Sequence, residues 1–404
     1  MKVLMLGPGE PSIYNSGLGI ATKHIKDNLP SDIDLTVIQP GTDQGITKNA
    51  RTISDEKVIE TTTPLESKSV IEEEIKEIIT QTNLNPYFYG TPSIAASTTK
   101  IEQNNIQKSL EEFSQKTIET ASENSCDLVY AHDWMNIKAA ITLKEKWSAP
   151  FILHIHSLDY DRATKITNSW VYKLEKEGMI QADLVIAVSE YHKSVMVEKY
   201  GIDPIKIHVV HLATEIPSKV DHQSKFAEKL IVFAGRLTEQ KGPDKFIQIA
   251  TKVHNENPDT RFVIAGSGEL MEHLIESGIH HDLKGKLHFT GYISRDELFK
   301  LYAMADVYCM PSVSEPFGLS AIEAAAHDLP VVLSKQCGAA ELLPASYLAD
   351  FWDIDAFVDH ILDILNDDDI AKKAAKKNIS ALSERSWRDV TQEITSIFKL
   401  ATSS

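Results

Sequence analysis

Short apolar runs recur along the first half of the chain, each bounded by polar or glycine-containing segments. Runs of four or five residues with few polar interruptions are typical of strands buried in a parallel sheet. Segments with the apolar spacing of helices separate them, as at residues 20–29 and 101–122. This alternation predicts an α/β fold with a doubly wound parallel sheet. The predicted strands are residues 3–6, 35–39, 128–131, 151–155, 184–188 and 207–211.

The pattern begins again after a polar, unpatterned stretch at residues 214–228, which we interpret as an interdomain linker. We therefore predict two Rossmann-like domains facing a cleft, residues 1–214 and 215–385. The last helix, in residues 386–404, is predicted to pack back on the first domain. A length of 404 residues agrees with two domains of ordinary size. The second set of predicted strands is residues 230–234, 261–265, 287–290, 307–310 and 331–333.

Residues 41–100 interrupt the first domain with a polar, poorly periodic stretch. Within it, residues 71–79 have an acidic helical pattern and residues 86–90 form an aromatic cluster. Such an insertion can build substrate-facing loops or serve only as variable surface packing, and its role stays open.

Charge and composition exclude several classes of protein. The formal net charge of −17 disfavours non-specific binding of nucleic acid or anionic lipid. No apolar run is long enough to cross a bilayer and the first residues do not resemble a signal peptide, so we expect a cytoplasmic protein without an integral membrane segment. The three cysteines lack metal-ligand spacing and are expected to be reduced packing residues.

The stretch from Ser314 to Glu323 connects a predicted buried strand to an alanine-rich segment that should be helical. Pro316 suits the first helical position, so the helix is predicted to begin there. The unpaired N–H groups and partial positive charge of such a helix start favour phosphate. Glu315 and Glu323 would lie roughly 12 Å apart along a helix, too far for the acid pair of a glycoside hydrolase. The alternative is a turn cap at Glu315 and a solvated helix residue at Glu323.

Polar clusters follow two predicted strands of the first domain. His132 and Asp133 end one strand, and His156 begins a polar segment that runs to Arg162 after the next. Ligands of doubly wound sheets bind at the carboxyl ends of strands, which favours a functional role for His156. His132 could equally be structural. In the first strand-to-helix loop the glycines at positions 17 and 19 let the backbone approach a ligand, although one Gly-x-Gly pair is a weak signal.

Arg236 and Lys241 follow the first strand of the second domain and are predicted to face the same crevice as the turn at Glu315. An arginine and a lysine at one diphosphate could neutralise it as a leaving group without a metal ion. A solvated loop with ordinary surface charges is the alternative.

Together these motifs resemble the donor site of the retaining glycosyltransferases with the GT-B fold, the family that includes sucrose synthase, bacterial mannosyltransferases and glycogen synthases. The resemblance covers nearly the whole chain. It is carried in the second domain by Gly235-Arg236-Leu237, Lys241-Gly242 and Glu315-Pro316-Phe317-Gly318-Leu319 with Glu323. The segments His132-Asp133-Trp134, His156 to Arg162, and Phe351-Trp352-Asp353 most resemble the glycogen-synthase-like branch.

The resemblance implies a role for each matching residue of the second domain, which would bind the nucleotide-sugar. Arg236 and Lys241 would hold the diphosphate, Glu323 the ribose, and Glu315 the hydroxyls of the donor sugar. The backbone N–H groups of Phe317, Gly318 and Leu319 would lie close to the donor.

The first domain would carry the acceptor side. The resemblance places His156 near the donor sugar, and Gly17 and Gly19 near the phosphates. His132, Asp133 and Arg162 would lie on the acceptor side, with Arg162 orienting the acceptor. The resemblance further implies transfer with retention of anomeric configuration by front-face attack, without a covalent intermediate and without a metal or other cofactor.

The chain departs from the glycogen-synthase pattern in three places. Tyr14-Asn15-Ser16 replaces the lysine that precedes the glycine pair, which puts glycogen as acceptor in doubt. Leu212-Ala213 replaces an Asn-Gly, and Asp328 replaces a glycine before a strand, and both changes bear more on backbone shape than on chemistry.

We therefore expect a retaining hexosyltransferase that moves a hexose, first of all glucose, from a nucleotide-sugar to a carbohydrate acceptor. The alternatives are a small-molecule or lipid acceptor, a sugar-nucleotide 2-epimerase on the same fold, and a catalytically silent sugar-nucleotide sensor. The sequence does not specify the nucleotide base, the sugar, the acceptor or the oligomeric state.

Overall fold

The computed structural model describes residues 1–7, 17–41, 50–54, 57–59, 76–81, 100–121, 125–166, 168–217, 227–280, 283 and 285–403. The chain divides into two compact units. Unit 1 contains Met1–Val188, Lys193–Val210 and Trp387–Ser404, and unit 2 contains Ser189–His192 and His211–Ser386. The aromatic cluster at residues 86–90 and most of the predicted linker lie outside the described residues.

Unit 1 is built on one sheet, which has nine strands among the described residues, in the order β4-β3-β5-β2-β1-β6-β7-β8-β9. All neighbouring strands pair in parallel except β3 and β4, which are antiparallel. The central strands are buried throughout their lengths, as the continuous apolar runs predict. The strands are β1 Lys2–Leu6, β2 Asp34–Gly41, β3 Ala50–Ser54, β4 Lys57–Ile59, β5 Lys76–Gln81, β6 Leu128–His132, β7 Phe151–Ile155, β8 Leu184–Ala187 and β9 Ile207–Val209.

Helices connect these strands. They are α1 Gly17–Asn28, α2 Lys100–Ala121, α3 Ile137–Trp147, α4 Asp159–Ala163, α5 Trp170–Gln181 and α6 Glu190–Tyr200. The first residues of α6 fall in unit 2 and the remainder in unit 1. No helix in the described part of the chain combines the length and apolarity that spanning a bilayer requires.

Unit 2 is built on a second parallel sheet, with six strands in the described residues in the order β12-β11-β10-β13-β14-β15. The strand order reverses between β10 and β13, so the loops after these two strands flank the switch point where doubly wound sheets bind ligands. The strands are β10 Lys229–Ala234, β11 Thr260–Ala265, β12 Leu287–Gly291, β13 Val307–Met310, β14 Val331–Ser334 and β15 Tyr347–Ala349. The helices are α7 Pro243–Glu256, α8 Met271–His280, α9 Arg295–Met304, α10 Leu319–Ala326, α11 Ile354–Asn366 and α12 Asp368–Ser383.

The final helix, α13 Trp387–Thr402, belongs to unit 1. Trp387 stacks on His24 of α1 with ring centroids 4.6 Å apart, and Phe398 packs edge-on against Tyr130 of β6. The Thr391 hydroxyl donates a hydrogen bond to the carbonyl of Asn28. These contacts bury one face of α13 against the first sheet and its helices.

The structure confirms the α/β fold of two doubly wound sheets and corrects two predicted elements. Residues 76–79 belong to β5, which pairs with β2, so the helix predicted at residues 71–79 is wrong there, and residues 71–75 lie outside the described residues. Helix α1 begins at Gly17, although the pattern predicted a loop up to residue 19.

Candidate active site

The loop after β10 carries Arg236 and Lys241 and is attached to the segment after β13. The carbonyl of Gln240 accepts hydrogen bonds from the backbone N–H of Val313 at 2.9 Å and of Ser314 at 3.5 Å. Gly242 ends the loop with φ 67°, and a Cβ there would lie 2.3 Å from the carbonyl oxygen of Pro311. Only glycine allows the two segments to approach this closely.

Helix α10 begins at Leu319, so the prediction that Pro316 occupies its first position is wrong. Gly318 is the N-cap residue with φ 95°, in the left-handed region that favours glycine. A Cβ at this position would also lie 2.9 Å from the Cys337 sulfur. The residues from Glu315 to Gly318 therefore form an irregular turn ahead of the helix rather than its first turn.

The carbonyl groups of this turn are held from within unit 2. Gly338 N–H donates to the carbonyl of Glu315 at 2.9 Å, and the Ser189 hydroxyl donates to the carbonyl of Pro316. In a planar trans peptide the N–H points opposite to the carbonyl, so the N–H group of Phe317 points away from the contact between Ser189 and the Pro316 carbonyl. Among the described residues, no acceptor is found for the N–H groups of Phe317, Gly318 and Leu319. The partial positive charges of these three N–H groups are suited to binding an anion.

Lys241 and Glu315 meet at this turn. The ammonium nitrogen of Lys241 contacts Glu315 Oε2, and the two side chains are only 15% and 7% exposed. The predicted convergence of the loop after β10 and the turn after β13 is therefore present for Lys241. Arg236 lies in the same loop and is partly buried.

Glu323 is buried in α10, so the alternative of a solvated helix residue is wrong. Its Oε1 accepts hydrogen bonds from Arg295 Nε at 3.1 Å and Nη2 at 2.9 Å. Burial raises the pKa of the Glu323 carboxyl, and the Arg295 guanidinium offsets part of that rise. Arg295 was not among the predicted site residues, because its pairing with Glu323 depends on the packing of α9 against α10. The 12 Å separation expected for a continuous helix no longer applies, since Glu315 lies outside α10.

His132, Asp133 and His156 lie together at the carboxyl ends of β6 and β7. The Nδ1 of His132 is 3.0 Å from the Nε2 of His156. Asp133 Oδ1 accepts a hydrogen bond of 2.7 Å from the His156 backbone N–H. Asp133 has φ 53° and ψ 177°, a strained backbone conformation that residues other than glycine rarely adopt. Asp133 thus fixes the backbone that presents His156, whereas its predicted acceptor-side role stays a prediction.

A third histidine, His154, joins this pair and was not singled out from the sequence. Its ring stacks on that of His156 with centroids 4.2 Å apart, and its Nδ1 is 2.6 Å from the hydroxyl of Tyr130. The spacing His154-Ile155-His156 was a usable signal, because residues two apart on a strand share one face.

Arg162 is buried in α4 and forms an ion pair of 2.7 Å with Glu175 of α5. The same carboxylate accepts hydrogen bonds from the backbone N–H of Asp159 and the hydroxyl of Tyr200. Arg162 also donates to the carbonyl of Ser157 at 2.9 Å. With a side chain only 3% exposed, this arginine holds the segment after His156 in place, and its predicted contact with an acceptor stays a prediction.

Gly17 and Gly19 lie in the first turn of α1, where Gly17 is exposed and Gly19 buried. Their predicted approach to phosphate stays a prediction. Tyr14-Asn15-Ser16, which replaces the lysine of the glycogen-synthase pattern, lies outside the described residues. Asp328, which replaces a glycine, has φ 65°, and this conformation explains why glycine suits the position.

Ser189, which precedes α6, and Tyr191, in its first turn, contact the segment from Ser314 to Pro316 and were not predicted from the sequence. Ser189 contacts the carbonyl of Pro316, and the Tyr191 hydroxyl lies 2.8 Å from the hydroxyl of Ser314. A serine before a predicted helix signals an N-cap, and Ser189 indeed accepts the N–H of His192 at 2.9 Å. Nothing in the sequence indicates that this serine also contacts a turn 127 residues away.

Two family models match consecutive parts of the chain. The model described as "Glycosyl transferases group 1" matches residues 217–381, and "Glycosyltransferase Family 4" matches residues 105–215. An uncharacterized glycosyltransferase of Methanocaldococcus jannaschii is 28% identical over 298 residues, covering 68% of this chain and 75% of the relative. The glycogen synthase of Mycobacterium tuberculosis is 28% identical over 221 residues, covering 53% of each protein, so the matched region is about half of that relative's length.

Among solved structures, HepE of Anabaena in complex with UDP-glucose is similar to the whole chain. The TM-score is 0.70 at 16% identity, and the match covers 99% of both chains. A likeness at this identity establishes the fold and leaves the substrate open.

Proposed function

The chain belongs to the group 1 glycosyltransferases with the GT-B fold, and on that premise we propose that it transfers a hexose from a nucleotide-sugar to a carbohydrate acceptor with retention of anomeric configuration. A similar structure binds UDP-glucose and one relative is a glycogen synthase, so UDP-glucose is the first donor to test. A small-molecule acceptor is the second candidate, since another relative is a D-inositol 3-phosphate glycosyltransferase that is 24% identical over 306 residues.

The single observation that carries this proposal is the meeting of Lys241, Glu315 and the turn N–H groups in unit 2. When the sugar–phosphate bond breaks, negative charge develops on the leaving diphosphate. The Lys241 ammonium and the N–H groups of Phe317, Gly318 and Leu319 are fixed donors that would stabilise that charge. These donors belong to the chain itself, so the proposed transfer would require no metal ion.

The carboxylates have separate roles in this scheme. Glu315 would accept hydrogen bonds from hydroxyls of the donor sugar while its contact with Lys241 holds the side chain in place. Glu323 would accept those of the ribose, oriented by Arg295. His156 would contribute from unit 1 as a hydrogen-bonding group at the donor sugar. Arg236 would add a second cation at the diphosphate.

The test is turnover of purified chain with UDP-, ADP- and GDP-glucose and the corresponding mannose donors, against glucan, monosaccharide, inositol phosphate and lipid acceptors. We expect release of nucleoside diphosphate with at least one donor, and slow donor hydrolysis where no acceptor fits. Proton NMR of the product reads the anomeric configuration. An inverted product contradicts retention, and epimerised nucleotide-sugar in reactions without acceptor indicates a 2-epimerase. Absence of both transfer and hydrolysis across the panel contradicts the enzymatic proposal.

The Arg295→Met substitution is expected to weaken donor binding about tenfold while changing kcat little. A hydrogen bond to a charged group contributes about 1.5–3 kcal/mol, and loss of the guanidinium would raise the pKa of Glu323 further. The measurement is the dissociation constant of UDP together with KM and kcat. Arg295→Lys, which retains the charge, should lose less affinity, and Lys300→Met on the same helix is the matched control. A kcat loss with unchanged affinity would place Arg295 in a different role.

A further inference from the structure

Three histidines of unit 1 form a cluster with the dimensions of a metal site. His132 ends β6, His154 lies in β7, and His156 follows β7 directly. One ring nitrogen from each residue lies within 4.8 Å of the others. The parallel register pairs His132 with His154, and the two-residue spacing of His154 and His156 places both rings on the same face of the sheet.

The chemistry of the cluster suits a transition metal. His132 and His154 are fully buried, and neutral imidazole is a common ligand of transition metals. The Tyr130 hydroxyl contacts Nδ1 of His154. A partner of this kind on the nitrogen away from the metal is usual for ligating histidines. His156 is less buried, which gives the cluster a side open to solvent.

We propose that His132, His154 and His156 bind one zinc-class divalent cation through three imidazole nitrogens, with solvent as the fourth ligand. Zinc–nitrogen bonds of about 2.0–2.1 Å separate tetrahedral ligand nitrogens by about 3.4 Å. The 3.0 Å pair of His132 and His156 must open slightly and the third ring must approach. Neutral rings contribute lone pairs. The proton in the His132–His156 hydrogen bond moves to the other nitrogen of its own ring, so no net proton is released.

This site would also regulate the proposed transfer, a consequence that rests on the proposed function. A cation held by His156 removes that ring from hydrogen bonding to the donor sugar. Zinc is therefore expected to inhibit turnover in competition with the nucleotide-sugar, and a chelator is expected to restore it. Metal binding by the three histidines does not depend on the proposed transferase activity, so metal binding and zinc inhibition are tested separately.

Binding is measured by calorimetric titration of Zn²⁺ into the untagged, chelator-treated full chain, with Co²⁺ absorption as the report on coordination. We expect one strong equivalent and a tetrahedral Co²⁺ spectrum. His154→Gln should weaken binding more than tenfold, and His208→Gln on β9 is the matched control that should not. Tyr130→Phe keeps all three rings and should weaken binding about tenfold or more, which guards against misfolding of the glutamine variant. Equal binding by wild type and His154→Gln overturns the site, as does an octahedral Co²⁺ spectrum.

Inhibition is measured as donor hydrolysis at increasing Zn²⁺ and UDP-glucose concentrations. His154→Gln should require more than ten times the Zn²⁺ for half-inhibition, while His208→Gln should match wild type. Strong binding without inhibition retains the metal site and refutes the competition. Failure of hydrolysis in the absence of metal counts against the proposed function and leaves the binding result intact.

Discussion

Lys241→Ala is expected to lower kcat/KM for donor turnover by about 10²–10³-fold. A fixed donor aimed at the charge that develops in a transition state contributes about 2.7–4 kcal/mol. The Lys241 ammonium contacts Glu315 in the turn that we assign to the diphosphate. The measurement is nucleoside diphosphate release from UDP-glucose at saturating and limiting donor concentrations. The loss should appear in kcat as well as in kcat/KM, because the charge is greatest in the transition state.

The matched control is Lys252→Ala, since Lys252 lies in α7 and its ion pair with Asp355 is largely exposed. That substitution should leave turnover unchanged. Loss of Lys241 alone also leaves the buried Glu315 carboxylate without its cation, which would lower stability. The double substitution Lys241→Met with Glu315→Gln removes both charges together and should fold more stably than Lys241→Ala while remaining inactive. A folded Lys241→Ala protein with more than half of the wild-type turnover would refute the assignment of Lys241 to the diphosphate.

Arg162→Met is expected to lower the free energy of unfolding by about 3–5 kcal/mol. It leaves Glu175 buried without its ion-pair partner, and both side chains are almost fully buried. Urea unfolding followed by fluorescence measures the loss. Lys144→Met is the matched control in unit 1, because the ion pair of Lys144 with Asp183 is partly exposed and should contribute about 0–1 kcal/mol.

The stability loss of Arg162→Met should depend on pH. Burial already raises the pKa of Glu175 to about 7 against the lowering effect of Arg162, and removal of the arginine raises it further. In the folded variant the carboxyl then binds a proton that the unfolded chain, with an ordinary glutamate pKa of 4.5, does not bind. Because the folded state binds more protons in this window, its stability increases as pH falls from about 8 towards 4.5. A deficit that is the same at pH 8 and pH 5.5 would show that removal of Arg162 does not raise the pKa of Glu175 further.

The strand pattern was predictable because a strand buried in a parallel sheet must be apolar on both faces, and that requirement is visible in a run such as Phe151 to Ile155. The motif residues of unit 2 were also predictable. The loop after β10 and the turn after β13 both flank the point where strand order reverses, and the chemistry of Lys241 and Glu315 is apparent from residue type. Strand β5 was not predictable, because pairing with β2 gave strand structure to a segment with a helical pattern.

The amino-acid sequence by itself determined the two parallel sheets, the order of their strands along the chain and the residue types that bear the candidate chemistry. The tertiary structure alone decided which of those residues meet. Helix α10 begins three residues after Pro316 because contacts from Ser189 and Gly338 hold the turn carbonyls in a non-helical arrangement. Arg162 can be buried because it forms an ion pair with Glu175 of another helix. His154 belongs to the histidine cluster because the register of β6 and β7 places it beside His132. Local propensity acts over a few residues, whereas these pairings are set by packing between segments far apart in the chain.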